Sequence, residues 1–323
     1  MPSLFARLNS LVRRESKYPK DFDNPYLPRI SHAQLKTAPD GQRLTQSQLR
    51  YLSQVTLNLP RKPPGRSRFK RRLNKLCDVA DWRGKEWDIL LNHVGRGVGA
   101  RKAWEWTHGL YGLQQLGVLN ENTTALGVGA GTEAVLYYMT NHMRQVVATD
   151  IYGIGNFANH EASASMLDKP EAFAPFPYHQ ERLVTRYMDG RKLEFNDGSF
   201  DVAFSFSSIE HFGGHAAATQ SMQEITRVLR PGGVAIIATE LILNGIPHEE
   251  YFLPHEIDQY LVQPSGLRLI EDIDFRFSGA MQRCPLVDLG AEGWINTSPH
   301  ILCHLNGMVW TSLLLFFEKP VVA

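Results

Sequence analysis

From Thr123 onward the chain alternates short apolar runs with helical stretches, and this rhythm restricts the fold more than any other feature of the sequence. A short, continuously apolar run is stable as a strand only where helices cover both faces of its sheet, and alternation with helices implies parallel pairing. The candidate strands are Ala125 to Val128, Gln145 to Thr149, Leu183 to Met188, Asp201 to Phe206, Val234 to Thr239, Leu267 to Phe275 and Met308 to Phe317. Together they predict an α/β fold with a seven-stranded sheet and helices on both faces.

What precedes this region has a different texture. The first sixty residues are polar and carry several prolines, except that Leu4, Phe5, Leu8, Leu11 and Val12 recur at helical spacing opposite Arg7, Arg13 and Arg14. An amphipathic helix is expected there, packed on the body or a partner, or lying on a membrane surface. Between Leu73 and Leu119, Trp82, Trp87, Leu90, Leu91, Trp104, Trp106, Leu110 and Leu113 repeat at helical intervals, interrupted by Gly95, Gly97 and Gly99. The chain therefore divides into an N-terminal helical extension and cap over residues 1–120 and a catalytic domain over 121–323.

Charge and cysteine content narrow the setting. The formal net charge of +1 offers no general attraction to nucleic acid, so a nucleic-acid partner is not expected. Arg61, Lys62, Arg66, Arg68, Lys70, Arg71, Arg72 and Lys75 nevertheless cluster without an acid among them. Such a run is a solvated face, or a contact for phosphate, lipid headgroups or RNA, and peripheral membrane contact through the N-terminal basic segments is one expectation. Cys77, Cys284 and Cys303 follow no zinc spacing and form no even framework, which fits a reducing compartment. The longest apolar run, Leu313 to Phe317, is too short to cross a bilayer, and no apolar leader segment is evident. A cytoplasmic protein is expected, with the inner membrane face as the alternative placement.

The first strand runs into a glycine turn and then a helix: Ala125-Leu126-Gly127-Val128-Gly129-Ala130-Gly131-Thr132-Glu133, followed by Val135, Leu136 and Met139. Glycines there let backbone approach a ligand closely, a device shared by nicotinamide and flavin enzymes. About twenty residues later Val146-Val147-Ala148-Thr149 ends in Asp150, where a strand-end carboxylate can accept from two ribose hydroxyls. Met188-Asp189-Gly190 closes the third strand, Ser199-Phe200-Asp201-Val202 enters the fourth, and Leu229-Arg230-Pro231-Gly232-Gly233 separates a helix from the fifth.

This ordered set resembles the class I S-adenosylmethionine (SAM) dependent methyltransferases, in the broad group that includes quinone and small-molecule methylases, over about residues 121 to 323. The resemblance implies a Rossmann-like fold and SAM as cofactor. It places Gly127, Gly129 and Gly131 in the cofactor loop, with Gly129 and Gly131 beneath the methionyl part. It also implies Asp150 on the ribose, Ile151 on adenine, Met188 against the ring and Asp189 accepting from the adenine amino group; Ser207 joins this cofactor set. Two positions depart from the family pattern: Gly127 stands where an acidic residue is usual and Glu133 where a third glycine is usual. Glu133 either pairs with the methionyl ammonium or merely favours a helix N-terminus through the dipole.

The segment Ser205-Phe206-Ser207-Ser208-Ile209-Glu210-His211-Phe212 follows the fourth strand, at the sheet edge where parallel α/β folds place reacting groups. His211 is the candidate base, because an imidazole titrates near neutrality, and Glu210 would orient it or bind substrate; the alternative is that the pair only lines the cofactor pocket. An amino-group methylase of nucleic acid or protein would often carry Asn/Asp-Pro-Pro-Tyr/Phe here, whereas this chain reads Ser207-Ser208-Ile209-Glu210. No cysteine lies near strands four or five to attack a cytosine. Asn244, His248, Glu249, Glu250, Tyr251, His255 and Glu256 follow the fifth strand as substrate-mouth candidates, and His248 and His255 match no helical metal-ligand spacing, so no metal is expected. Tyr152 and Tyr178 are lid candidates or packing aromatics.

The expected activity is methyl transfer to a small-molecule or glycan acceptor at a hydroxyl oxygen. The texture is also similar to bacterial methyltransferases of surface-polysaccharide assembly. The alternatives are a SAM-binding protein without catalysis, which the Gly127 and Glu133 departures motivate, and a nicotinamide oxidoreductase, disfavoured because this chain lacks the third glycine of the pyrophosphate turn.

Overall fold

The computed structural model describes residues 59–60, 62–95, 100–281, 284–291 and 299–321. The expected helix around Leu4 to Val12, and Arg61 of the basic run, lie outside them.

Five parallel strands form one side of the sheet: β2 (Thr124–Val128), β3 (Gln145–Asp150), β4 (Leu183–Tyr187), β5 (Phe200–Phe206) and β6 (Leu229–Ile242). β1 is the short Lys75–Leu76 strand, β7 is Arg268–Leu269, β8 is Leu286–Asp288, β9 is Leu302–Leu305 and β10 is Met308–Glu318. Among the described residues, eight of the ten strands run in the order β4-β3-β2-β5-β6-β10-β9-β8, with β10 antiparallel to β6, and β1 and β7 each pair with β10 outside that row. Every residue of β2 and β5 is buried, as their unbroken apolar runs require. The order reverses between β2 and β5, so a crevice opens at their C-terminal ends.

Two features differ from the sequence expectation. The sixth strand, expected over Leu267 to Phe275, shrinks to Arg268–Leu269, because the outer edge of the long β10 is shared along its length. β7 pairs with Phe317 and Glu318, β1 with Leu313 and Leu314, and β9 with Met308 to Trp310. The helical reading from Leu73 also starts too early, since residues 73–82 form β1 and a single 3-10 turn, Val79–Asp81. Buried Asn74 fixes this segment: its side chain donates to the carbonyl of Glu271 (2.6 Å) and accepts from the N–H of Phe316 (2.6 Å). The Pro231-Gly232-Gly233 turn is not outside β6 but a register shift within it, with Gly232 at φ +76°.

Helices α1 (Lys85–Val94) and α2 (Ala100–Gln115) pack on each other and bring the tryptophan-rich segment into the same core as the sheet. α2 lies close to the sheet because Gly109 and Gly112 face it. A Cβ on Gly109 would stand 2.6 Å from the Phe206 ring, and one on Gly112 would stand 2.1 Å from Phe316. Trp104, fully buried on α2, keeps its indole N–H satisfied by donating to Asp81 (2.8 Å). α3 (Ala134–Thr140) follows the glycine turn, and α4 (His215–Val228) packs against β6.

Three residues of the basic run are consumed by this architecture. Lys75 binds both carboxylate oxygens of Asp81 (2.6 and 2.7 Å), and Arg71 donates to the Asp81 carbonyl (2.7 Å). Arg72 faces Glu271 (3.5 Å) and Asp274 (3.7 Å). Lys62, Arg66, Arg68 and Lys70 remain exposed. Among the described residues no helix is long and apolar enough to cross a membrane.

Candidate active site

The glycine turn sits at the C-terminal end of β2 with Gly129 at φ +64° and Gly131 at φ +48°, a left-handed path that disfavours side chains. Asp150 locks it: its Oδ2 accepts from the N–H of Gly131 (2.9 Å), and Oδ1 accepts from the N–H of Ile151 (2.7 Å). Burial raises the Asp150 carboxyl, and these two N–H groups pull it back down. Each oxygen keeps lone pairs for a further donor. Ile151, beside it, is 37% exposed, an apolar surface next to a polar anchor. Tyr152 is buried and donates to the Gly131 carbonyl (2.9 Å), and Tyr178 packs edge-on against Tyr137, so both serve packing in this structure.

The N–H of Met188 donates to the Asp150 carbonyl (2.9 Å), which brings the third-strand turn beside the ribose candidate. Met188 is buried. Asp189 is at the surface, held in a two-pronged pair by Arg191 (3.0 and 2.6 Å), whose hydrogen bonds keep the carboxyl below its usual range. An adenine amino group would share this carboxylate with Arg191.

Gly127 faces inward. A Cβ there would stand 2.7 Å from Ala130 Cβ and 2.8 Å from the Phe204 ring, so Phe204 occupies the room an acidic side chain needs. Its carbonyl accepts from Thr149 Oγ1 (2.7 Å). The other departure, Glu133, is the residue before α3 and makes no capping hydrogen bond with its side chain. Its Oε1 is instead 3.0 Å from Lys102 Nζ on α2, and its buried Oε2 has no partner. Burial pushes the Glu133 carboxyl up to about 7 against the pull of Lys102. Lys102 also donates to the Phe206 carbonyl at the end of β5 and lies 3.4 Å from Glu105.

After β5 the chain turns through Ser207, a non-glycine residue at φ +48°, strain of the kind that collects at ligand sites. Its buried Oγ has no partner. Ser208 Oγ donates to the Gly129 carbonyl (2.7 Å), and the Phe212 ring fills the space that a Cβ on Gly129 would enter. The 3-10 turn Ile209–Phe212 thus rests on the glycine loop.

Glu210 and His211, adjacent in sequence, point apart. Glu210 is fully buried, while His211 Nδ1 lies 2.8 Å from Glu250 Oε2. The expectation that Glu210 orients His211 is therefore corrected: neighbours on a 3-10 turn diverge by about 120°, and the loop after β6 delivers Glu250 instead. Phe157 and Tyr251 flank the imidazole, with ring centroids 5.2 and 6.2 Å away. His248 Nδ1 accepts from the N–H groups of Glu250 and Tyr251 (both 3.2 Å), which shapes this loop. Asn244 ties it to Gly307 and Val309, and Glu256 accepts from the N–H of Leu253. His255 and Glu249 are exposed. Among the described residues no group of His, Cys, Asp and Glu is arranged to hold a metal ion.

The sequence reading missed Lys102, Arg101, Glu105 and Glu240. Arg101 pairs with Glu240 on β6 and with Glu105 (3.3 Å), and Ser312 of β10 donates to Glu105. The signal was present, since Arg101 and Lys102 precede Glu105 by four and three residues on a helix otherwise rich in buried aromatics.

Residues 126–237 match the family model described as "Methyltransferase domain". An O-methyltransferase from Pyrenophora dematioidea is 32% identical over 107 residues, covering 29% of this chain and 39% of that protein. This chain therefore aligns with well under half of that relative's length. Solved structures similar to it include phosphoethanolamine N-methyltransferase 2 of Haemonchus contortus in complex with SAM (17% identity, 67% of this chain, 53% of that chain, TM-score 0.46). The cyclase SpnF is similar at 17% identity (64% of this chain, 77% of that chain, TM-score 0.43). The chain carries a methyltransferase domain. The residues around the glycine turn fit SAM as a bound cofactor: Asp150 would take the ribose hydroxyls, exposed Ile151 the adenine, and the unpartnered Glu133 Oε2 the methionyl ammonium.

Proposed function

We propose that this protein transfers a methyl group from SAM to a hydroxyl oxygen of a small-molecule or glycan acceptor. The observation that carries the reading is the His211–Glu250 pair, 2.8 Å apart, next to the turn that rests on the glycine loop. Bound SAM supplies an activated methyl, so the protein's tasks are alignment, exclusion of water and removal of one proton. Glu250 holds the proton of His211 on Nδ1, which leaves Nε2 as the acceptor of a hydroxyl proton. Phe157 and Tyr251 wall the imidazole and favour an acceptor with an apolar face, such as a phenol or the face of a sugar ring. The Gly127 and Glu133 departures do not argue against catalysis, since Phe204 and Lys102 account for both.

The test is formation of S-adenosylhomocysteine with a panel of sugars and phenols, followed by His211→Ala and Glu250→Gln. The expected result is a fall in kcat of about 10²-fold or more for His211→Ala, with SAM affinity retained. Turnover of amines alone, or full activity without His211, would overturn the hydroxyl reading.

A further inference from the structure

Six ionisable side chains meet where α2 crosses the ends of β5 and β6. Arg101, Lys102 and Glu105 come from α2, Glu133 from the start of α3, Glu210 from the turn after β5 and Glu240 from β6. Two cations thus face four carboxyl groups. Glu240 and Glu105 pair with Arg101, and Glu133 pairs with Lys102. Glu210 is the exception: it is fully buried, and neither of its oxygens is hydrogen-bonded to another residue. The Oε2 of Glu133 and the Oγ of Ser207 are buried and unpartnered as well. Orphaned acceptors of this kind are costly, the more so for a charged group, unless a bound group supplies donors. A primary ammonium, with three N–H donors, matches the hydrogen-bond deficit, and its positive charge can pair with a carboxylate there.

We propose that Glu210 is a proton-exchanging counter-ion for the ammonium of bound SAM: its carboxyl is neutral in the free protein and ionises as the ammonium docks. The proposal rests on the methyltransferase reading. Its placement follows from Ser208 and Phe212, which flank Glu210 and hold its turn against Gly129 of the cofactor loop. The balance is simple. A carboxylic acid and an ammonium become a carboxylate–ammonium pair, and one proton passes to solvent. Burial, with Glu240 next in effect, pushes the Glu210 carboxyl up to about 8, so the acid is the main form at pH 7. Across the mouth lie His211, Glu250 and Tyr251, so the assignment to Glu210 needs a variant.

The experiment is titration calorimetry of the full chain at pH 7 in phosphate and in Tris, buffers whose different ionisation heats reveal proton release. SAM and S-adenosylhomocysteine both carry the ammonium, and each should release about 0.9 proton from this group. 5′-Methylthioadenosine lacks the ammonium and should release none from it. The group's contribution to SAM affinity should strengthen at least about tenfold from pH 6 to pH 8. Glu210→Gln copies the neutral acid, so it should fold, release about one proton fewer and flatten that dependence. Unchanged proton release in Glu210→Gln, or equal release with 5′-methylthioadenosine, would overturn the proposal while leaving the cofactor reading standing. Failure of both SAM and S-adenosylhomocysteine to bind would remove the cofactor reading and this proposal with it.

Discussion

Replacing Lys102 with methionine tests whether the charge pair under the cofactor loop holds the domain together. The substitution keeps the aliphatic stem but removes an ammonium that lies 3.0 Å from Glu133 and 3.4 Å from Glu105 and that donates to the Phe206 carbonyl. Breaking a fully buried pair by deleting one partner costs about 3–5 kcal/mol. The Lys102 side chain is 30% exposed, so water can replace part of what is lost, and about 2–3 kcal/mol is expected. The pH dependence has a definite sign. Glu133 titrates near 7 in the folded protein, above its unfolded value, so the native chain loses stability as pH rises from the unfolded value through about 7. Without Lys102 the carboxyl moves higher still, the loss continues past neutrality, and the deficit of the variant grows between pH 6 and pH 8.5. Guanidinium denaturation followed by circular dichroism measures both effects. Glu133→Gln in the same chain should recover at least half of the loss, because the orphaned carboxylate is then gone. A deficit under about 0.5 kcal/mol, or strictly additive effects in the double variant, would refute the reasoning.

Two further predictions concern neighbouring positions. Gly127→Asp, which installs the acidic residue usual at that position, should destabilise the domain by about 3 kcal/mol or more, because its Cβ meets Ala130 and the Phe204 ring; a melting temperature within about 2 °C of the native chain would contradict this. Glu210→Gln should be more stable than the native chain, with an advantage that opens as pH rises from about 4.5 to about 8 and reaches about 5 kcal/mol at full ionisation; denaturant midpoints at pH 5 and 8 that differ equally would contradict it.

The five parallel strands were legible because each is an apolar run bounded by turn residues, and the Gly129, Gly131 and Asp150 loop because its residues lie close in sequence. Asp150 and Gly131 are nineteen positions apart yet hydrogen-bonded, as strand-end spacing implies. The covering of β10 was not legible, since strands of two residues such as Lys75–Leu76 have no periodicity to read. The partner of His211 was also hidden: Glu250 lies thirty-nine residues away, and only the fold of the loop after β6 brings it within 2.8 Å. Lys102 was hidden for a different reason. Its helix reads as an aromatic core element, and a long stem can carry an ammonium to a buried carboxylate without disturbing that pattern.

The central claim is that Asp150 anchors SAM beside the glycine loop. Calorimetric titration of the native chain and of Asp150→Ala with SAM tests it most directly. Binding to the native chain is expected, with an affinity at least about tenfold weaker in the variant, from loss of two hydrogen bonds to the ribose and of the loop's own lock. Equal affinity in the two proteins, or binding of NADH in place of SAM, would contradict it.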